Sequence, residues 1–384
     1  MRDNYNEVET LFDLRHILSH NEIIRHCAFQ AINFEKSGFP VENYRFEDCL
    51  FMGCIIPPRM YFAMDEACIV LPRVKMPYKV FPNKLYDAHS LYLHYKPGYH
   101  ETFYTCYDTI VYDRYMAMGK ATSDVKETLC RLLHDHSIGN AVDQLTSEYN
   151  EKDIVAVMGG HAVQRTDVSY QQIVEISKRL TELGKLMVSG GGPGAMEAVH
   201  LGAWMAGRSE AEVEDALSIL SICPTFREKG WLTSAFEVME KYPRDPQFRS
   251  LGIPTWFYGH EPATPFASHI AKFFDNSLRE DCIVSLPRGG IIYTPGSAGT
   301  FQEIFQDAAQ NHYETLGYAS PMVFLGKQYY TEETPIYSLL KDLQNRGKYR
   351  NLLLSITDST DDVIRYLLDF HRPYHQSSEQ SFEY

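Results

Sequence analysis

Two glycine-rich stretches contain the residue types that can bind a phosphate and place a carboxylate beside it. GGGPG at residues 190–194 separates an apolar run from a helical pattern that starts near Ala195. PGSAGT at residues 295–300 also follows an apolar run, and Glu303 comes one turn into the next helical pattern. Glycines between a strand and a helix leave backbone N–H groups open to an anion, which the helix dipole also favours. The predicted nucleotide- or phosphate-binding loop residues are Gly159, Gly160, Gly190, Gly191, Gly192, Gly194, Ala195, Gly296, Ser297, Ala298, Gly299 and Thr300.

Glycine-rich loops of this kind can also have roles other than phosphate binding. The glycines could serve only to form a tight turn. Gly190, Gly192 and Ala195 also fit the dinucleotide fingerprint, but the next predicted strand, ALSILSI at 216–222, is not followed by the acidic residue that binds a ribose. A P-loop is excluded because no Lys-Ser/Thr follows the glycines, and the GxSxG nucleophile motif is absent.

Glu303 has two interpretations. With Thr300 it fits a capping box, in which the two side chains satisfy free N–H groups at a helix start. Alternatively it is catalytic, because the predicted buried stripe of this helix leaves Glu303 off the core face, near the edge of the sheet where ligands bind. That predicted stripe consists of Phe301, Ile304, Phe305, Ala308 and Ala309.

The elements that would position these residues alternate between strand and helix from about residue 151. Strands are predicted in DIVAVMGG, KLMVS, ALSILSI, TWFYG and GGIIYTP, and helices at 168–184, from Ala195, near 266–279 and at 300–313. This alternation predicts an α/β fold, a doubly wound parallel Rossmann-like sheet, with an appended N-terminal region.

The N-terminal region, residues 1–120, lacks this alternation and has ten tyrosines between Tyr61 and Tyr115. Within 26–56, apolar residues recur every five positions, which is typical of a pentapeptide β-helix; irregular strands packed on the α/β core are the alternative. Residues 121–150 predict a connecting helix capped by Thr122, Ser123 or Asp124. The remaining residues, 151–384, form the predicted Rossmann-like domain.

Composition limits the class of protein. The 384 residues are 44% hydrophobic and 13% aromatic, enough for one large core or two moderate ones. The net charge of −14 is spread along the chain without a basic cluster, so no nucleic-acid polymer is expected as a partner. The chain has neither a signal-peptide pattern nor an apolar run of about 18 residues, so we expect a cytoplasmic protein and no membrane association. The eight cysteines show no metal-ligand spacing, so neither disulfides nor structural zinc is expected.

The two glycine motifs resemble those of the Lonely Guy (LOG) family, Rossmann-like proteins often mislabelled lysine decarboxylases. GGGPGAMEA at 190–198 is similar to the family's GGGxxGxM, and PGSAGTFQE at 295–303 to its PGGxGTxxE, in the same order. The resemblance covers about residues 151–330. It implies hydrolysis of the N-glycosidic bond of a nucleoside 5′-monophosphate to free base and ribose 5-phosphate, without metal or redox cofactor. It also implies a homodimer or higher homo-oligomer.

The resemblance places the family's catalytic glutamate at Glu303, its catalytic arginine at Arg279, and a substrate-contacting glutamate at Glu261. The chain departs from the family at three positions. Glu280 follows Arg279 where the family has lysine, Ser297 replaces a glycine, and Gln302 replaces a glutamate. The missing lysine weakens the case for a cytokinin-type nucleotide as substrate. A nucleotide-binding sensor that does not cleave its ligand is the alternative function.

Three histidines are weaker candidates. His134 and His136 flank Asp135 on a predicted helix, where residues two apart do not share a face, so a metal site is disfavoured. His161 follows Gly160 and either lies near a bound base or is an ordinary surface-loop histidine.

Overall fold

The computed structural model describes residues 5–370. Residues 1–4, at the start of the predicted segment 1–120, lie outside the described residues, as do residues 371–384, at the end of the predicted segment 151–384. Its strands are β1 (Asn6–Val8), β2 (Ile23–Arg25), β3 (Cys27–Gln30), β4 (Arg45–Glu47), β5 (Leu50–Met52), β6 (Ile69–Leu71), β7 (Ile154–Met158), β8 (Leu186–Ser189), β9 (Ser250–Gly252), β10 (His269–Ile270), β11 (Ile291–Tyr293), β12 (Pro321–Leu325) and β13 (Leu353–Thr357). Its α-helices are α1 (Leu11–His20), α2 (Ala88–Leu91), α3 (Tyr107–Met118), α4 (Val125–Ser147), α5 (Val168–Glu182), α6 (Ala195–Trp204), α7 (Glu210–Ser221), α8 (Trp231–Lys241), α9 (Asn276–Ser285), α10 (Ala298–Tyr313), α11 (Ile336–Asn345) and α12 (Thr360–Leu368). Within residues 5–370, no helix has the length and apolar content needed to cross a membrane.

The described residues divide into two compact units. The first contains the chain up to Leu85 together with Ile110–Val142, and the second contains Tyr86–Thr109 and the chain from Asp143 onward. All the predicted nucleotide-binding and catalytic residues belong to the second unit.

The first unit is built from short parallel strands wound in coils. Ile23 of β2 pairs with Arg45 of β4, and Ala28 of β3 pairs with Leu50 of β5, so each pairing advances 22 residues along the chain. The sheets are β1-β3-β5-β6 and β2-β4. The fully buried rings inside the coils are Phe29, Phe34, Phe46 and Phe51.

The predicted connecting helix is present as α4. Asp124 caps it by accepting the Glu127 N–H at 2.7 Å. Glu127 on this helix is fully buried, whereas Val125 is 82% exposed. The sequence therefore predicted the helix but not which of its side chains are buried.

The second unit contains the doubly wound sheet that the alternation predicted. Among the described residues, seven parallel strands follow the order β10-β9-β8-β7-β11-β12-β13. From β7 the chain first adds β8, β9 and β10 on one side and then β11, β12 and β13 on the other. The strand order reverses between β7 and β11, which confirms the Rossmann-like fold prediction.

The predicted strand at 216–222 is wrong, because this segment lies in α7. Ser209 and Glu212 form a capping box at the helix start, in which the Ser209 N–H donates to Glu212 Oε2 at 2.9 Å. The apolar residues that suggested a strand include Ala216 and Leu220, which lie four apart on the buried face of the helix.

Two further assignments are corrected. TWFYG at 255–259 contains a 3₁₀ turn, and the neighbouring strand is instead β9, whose small residues gave no strand signal. The predicted helix at 266–279 contains β10, and the helix begins only at Asn276 because Asp275 accepts the Ser277 N–H at 2.7 Å.

Candidate active site

Three loops meet at the carboxyl ends of β7, β8 and β11. The N–H of Gly160 donates to the Pro295 carbonyl at 3.1 Å, and the N–H of Ala195 donates to the Gly160 carbonyl at 3.0 Å. Since β7 lies between β8 and β11 at the point where the strand order reverses, these loops border the crevice where open α/β sheets bind ligands. The structure thus brings the three predicted glycine stretches together.

At two of these positions, other atoms lie too close to the backbone for any side chain, so glycine is required. A Cβ at Gly190 would overlap the Nη2 atom of Arg279 and lie 2.6 Å from the sulfur of Met196. Gly194 has φ +72°, and a Cβ there would lie 2.6 Å from the Gly160 carbonyl oxygen. Gly190 therefore allows Arg279 to lie directly against the first glycine loop.

The amides before α6 are partly used by the protein itself. The Ala195 N–H is taken by the Gly160 carbonyl, and the Gly191 N–H donates to the Ser189 hydroxyl at 3.2 Å. These two N–H groups are not available to a phosphate, although both residues were predicted to bind one.

The amides that begin α10 are open. Ser297 is the N-cap residue but makes no side-chain cap hydrogen bond. Within residues 5–370, the N–H groups of Ala298, Gly299 and Thr300 have no protein acceptor. Ser297, Ala298 and Gly299 are exposed, and a Cβ added at Gly299 would meet no atom within 4 Å. This helix start therefore offers three N–H donors and open space to an anion.

Arg279 is held by α9 and by a loop of the sheet. Its Nε donates to the Ile253 carbonyl at 2.8 Å, and its Nη1 donates to Glu280 Oε1 at 2.8 Å. The same Nη1 lies 3.9 Å from Glu303 Oε1. The residue is only 8% exposed, so its guanidinium has a fixed position next to the predicted catalytic glutamate.

Both parts of the sequence interpretation of Glu303 need correction. Helix α10 begins at Ala298, so Glu303 is its sixth residue and lies beyond the first turn, where a capping carboxylate would have to be. Glu303 also lies on the buried face of the helix, not off it. That buried face consists of Thr300, Glu303, Ile304, Asp307, Ala308 and Asn311, whereas Phe301, Phe305 and Ala309 are half-buried.

Burial changes the acidity of Glu303. The side chain is 8% exposed, and loss of hydration raises its pKa from 4.5 to about 7. The positive charge of Arg279 lowers this pKa and the negative charge of Glu280 raises it, and both effects are smaller than that of burial. Glu303 therefore changes protonation state near neutral pH, where a catalytic acid or base is most effective.

Asp307 is a second buried acid that the sequence did not single out. It lies one turn after Glu303 on the same face, and burial raises its pKa to about 7. The Tyr293 hydroxyl donates to Asp307 Oδ2 at 2.7 Å and lowers this pKa by a smaller amount. The available signal was an acidic residue four positions after Glu303, a spacing that places both on the same helix face.

Glu261 and His161 border the first glycine loop. Glu261 Oε1 lies 3.4 Å from His161 Nδ1. A Cβ on Gly192 would lie 3.8 Å from the other carboxylate oxygen of Glu261. Glu261 is therefore close enough to the loop to contact a ligand held there.

A buried ion pair that the sequence did not reveal anchors the surrounding loops. Arg165 and Glu197 are both almost fully buried, and Arg165 Nη2 lies 2.5 Å from Glu197 Oε1. The Arg165 guanidinium also donates to Ser234 and the Cys223 carbonyl and lies over the Trp231 ring. The pair ties α6 to the loop between β7 and α5, and the other contacts of Arg165 reach Cys223 and α8. The signal for the pair was one acidic residue in the apolar sequence of α6.

The other histidine candidates belong to the first unit. His134 is buried and contacts Asp135, while His136 is exposed. In the part of the chain that the structure describes, no three His, Cys, Asp or Glu side chains are arranged to hold a metal ion.

A cavity of about 550 Å³ lies elsewhere in the second unit. It is lined by residues that include Trp204, Phe236 and Arg244, and none of its lining residues belongs to the glycine loops. We place the candidate site at the loops because the buried acids and Arg279 are there.

Comparisons with known proteins do not identify a function for this chain. No protein-family model matches the sequence, and no curated protein matches it. Among solved structures, the chain is similar to the protein TM1055, with 19% identity over 56% of this chain and 98% of that chain and a TM-score of 0.38. It is also similar to a molybdenum cofactor binding protein from Rippkaea orientalis, with 16% identity over 56% of this chain and 94% of that chain and a TM-score of 0.35. A Moco carrier protein from Chlamydomonas reinhardtii shows 15% identity over 56% of this chain and 96% of that chain, with a TM-score of 0.33. Scores this low carry no argument about what the chain binds or catalyses.

Proposed function

We propose that the protein hydrolyses the N-glycosidic bond of a nucleoside 5′-monophosphate and releases the free base and ribose 5-phosphate. The observation that carries the proposal is the buried pair of Arg279 and Glu303, 3.9 Å apart, with Glu303 in the same helix as the three open N–H groups. The resemblance of the two glycine motifs to the LOG family points to the same reaction.

The phosphate is assigned to the start of α10. Ala298, Gly299 and Thr300 supply three N–H donors, and the helix dipole adds a partial positive charge. Glu303 follows Thr300 by three residues in the same helix, so the phosphate-binding amides lie within about one to two helical turns of Glu303 along the helix axis.

The remaining residues act on the ribose and the base. Breaking the bond between C1′ and the base nitrogen creates positive charge on the ribose, which a nearby carboxylate stabilises. Glu303 supplies that carboxylate as the bond breaks, Arg279 polarises the departing base, and Glu261 with His161 binds the base at the first glycine loop.

A nucleotide-binding sensor is the second candidate. Arg279 Nη1 donates to Glu280 at 2.8 Å but lies 3.9 Å from Glu303, so its closest partner is a residue that the LOG-type motif lacks. Such an arrangement also suits a site that binds a nucleotide without cleaving it.

Turnover separates the two functions. The purified protein is incubated with purine and pyrimidine 5′-monophosphates, and free base and ribose 5-phosphate are quantified by chromatography. We expect equal amounts of both products from at least one nucleotide, and a loss of roughly 10²-fold or more in Glu303→Gln. Tight nucleotide binding without products refutes the hydrolase proposal and supports the sensor.

A further inference from the structure

Glu280 competes with Glu303 for the same guanidinium. The two carboxylates are 7% and 8% exposed. Glu280 Oε1 accepts from Arg279 Nη1 at 2.8 Å and from the Asn276 amide at 3.5 Å, whereas Glu303 Oε1 is 3.9 Å from Nη1. Among the described residues, the second oxygen of Glu280 is buried without a hydrogen-bond partner.

Two buried carboxylates beside one positive charge do not ionise equally well. The carboxylate that contacts the guanidinium at hydrogen-bond distance keeps its negative charge, and the more distant one then holds its proton more tightly. The distances pair the guanidinium with Glu280 and leave Glu303 outside hydrogen-bond distance of it.

We propose that Glu280 is a positioning residue that occupies Arg279 and thereby leaves Glu303 carrying the proton that the departing base receives. This inference rests on the proposed hydrolase function. It gives Glu280 a role that its replacement of the family's lysine had left open.

The groups that face Glu303 support this assignment. Arg279 and Glu280 of α9 have opposite effects on its pKa, which burial raises to about 7. Burial raises the pKa values of Tyr293 of β11 and of Tyr330, and the nearby Glu303 carboxylate adds a smaller increase.

Neither tyrosine hydroxyl donates to Glu303. The Tyr293 hydroxyl donates to Asp307, the acid one turn further along α10, and the Tyr330 hydroxyl donates to the Thr294 carbonyl. Burial therefore has the largest effect on the acidity of Glu303, and the positive charge that opposes it belongs to Arg279, whose Nη1 atom already donates to Glu280.

The chemical step balances with water as the only co-reactant. The Glu303 carboxyl group gives its proton to a ring nitrogen of the base while the C1′–N bond breaks, and the electron pair of that bond stays with the base. The resulting carboxylate stabilises the positive ribose. Water then adds to C1′ and gives a proton to Glu303, which restores the carboxyl group and yields ribose 5-phosphate.

The direction in which kcat/KM changes with pH distinguishes a Glu303 that starts protonated from one that starts as a carboxylate. If Glu303 must start protonated, kcat/KM is high below pH about 7 and falls as the pH rises through that value. If Glu303 acted as a carboxylate from the start, activity would instead increase over the same range.

The test uses Glu280→Gln, which keeps the size of the side chain but removes its charge. Arg279 is then free to pair with Glu303, so the pKa of Glu303 falls by at least about 1. The titration of the Glu303 carboxyl carbon is followed by ¹³C NMR on glutamate-labelled protein, with the signal assigned by its loss in Glu303→Gln. Glu280→Ala is a second variant, and Glu237→Gln, at an exposed position of α8, is the control.

We expect the pH at which kcat/KM declines to move down with the NMR titration in both Glu280 variants and to stay unchanged in Glu237→Gln. A Glu303 titration that is identical in wild type and the Glu280 variants overturns the inference, as does wild-type activity that increases through pH 7. If the wild type cleaves no nucleotide, the proposed function fails, and the NMR titration still decides whether Glu280 controls the proton on Glu303.

Discussion

Replacing Glu303 by glutamine should stabilise the folded protein at alkaline pH. The pKa of Glu303 is about 7 in the folded chain against an ordinary value of 4.5, because burial removes the hydration of the carboxylate. Above pH 4.5 the unfolded chain releases this proton while the folded chain keeps it. The stability contributed by the protonated carboxyl group is therefore fully present below pH 4.5 and is lost as the pH rises to about 7.

The magnitude follows from the difference between the two pKa values. A difference of 2.5, multiplied by 1.36 kcal/mol for each pKa unit, corresponds to about 3 kcal/mol of stability lost above pH 7. Glutamine has nearly the same shape and no proton to lose, so Glu303→Gln avoids this cost. Asp307 also has a raised pKa, but it is present in both proteins and cancels in the comparison.

The assay is urea unfolding of wild type and Glu303→Gln at pH 5 and pH 8.5. We expect a free energy of unfolding higher in the variant by about 3 kcal/mol at pH 8.5 and by less than about 1 kcal/mol at pH 5. Glu237→Gln should match wild type at both values, because that side chain is exposed. Equal stabilities of wild type and Glu303→Gln at pH 8.5 would refute the reasoning that burial dominates the acidity of Glu303.

Two other substitutions test the phosphate site and its support. Gly299→Ala places a methyl group in open space on α10, so it should raise the free energy of unfolding by up to about 1 kcal/mol. Because that space is assigned to the phosphate, nucleotide binding measured by calorimetry should weaken by roughly tenfold. Unchanged binding would show that the phosphate does not bind at this helix start. Glu197→Gln leaves Arg165 buried without its carboxylate partner and should cost about 3–5 kcal/mol in urea unfolding. A cost below about 1 kcal/mol would show that the ion pair does not anchor the loops.

The sequence by itself determined those structural elements whose formation depends on residues adjacent in the chain. Strands β7, β8 and β11 were predictable because each is an apolar run that ends at glycines. The α/β alternation then implied a parallel sheet, and parallel strands place their carboxyl ends at one edge. The sequence therefore predicts that the three glycine loops lie near one another.

The sequence prediction failed where one local pattern indicated a strand and another indicated a helix. The apolar residues of α7 suggested a strand, although the capping box at Ser209 and Glu212 was present in the sequence and marked a helix start. β9 is three residues of mixed character and gave no hydrophobic pattern. Its position depends on pairing with β8, which lies about 60 residues earlier in the chain.

Only the tertiary structure decided how the acidic groups of the site behave. Hydrophobic periodicity placed Glu303 off the core face, because a helix pattern assigns charged residues to solvent. The packing of α10 instead buries Glu303 and Asp307, and α9 brings Arg279 within 3.9 Å of Glu303. Glu280 was visible in the sequence only as a departure from a motif. Its contact with Arg279, and hence the choice of which carboxylate keeps a proton, depends on distances of a few ångströms between side chains that residue spacing does not specify.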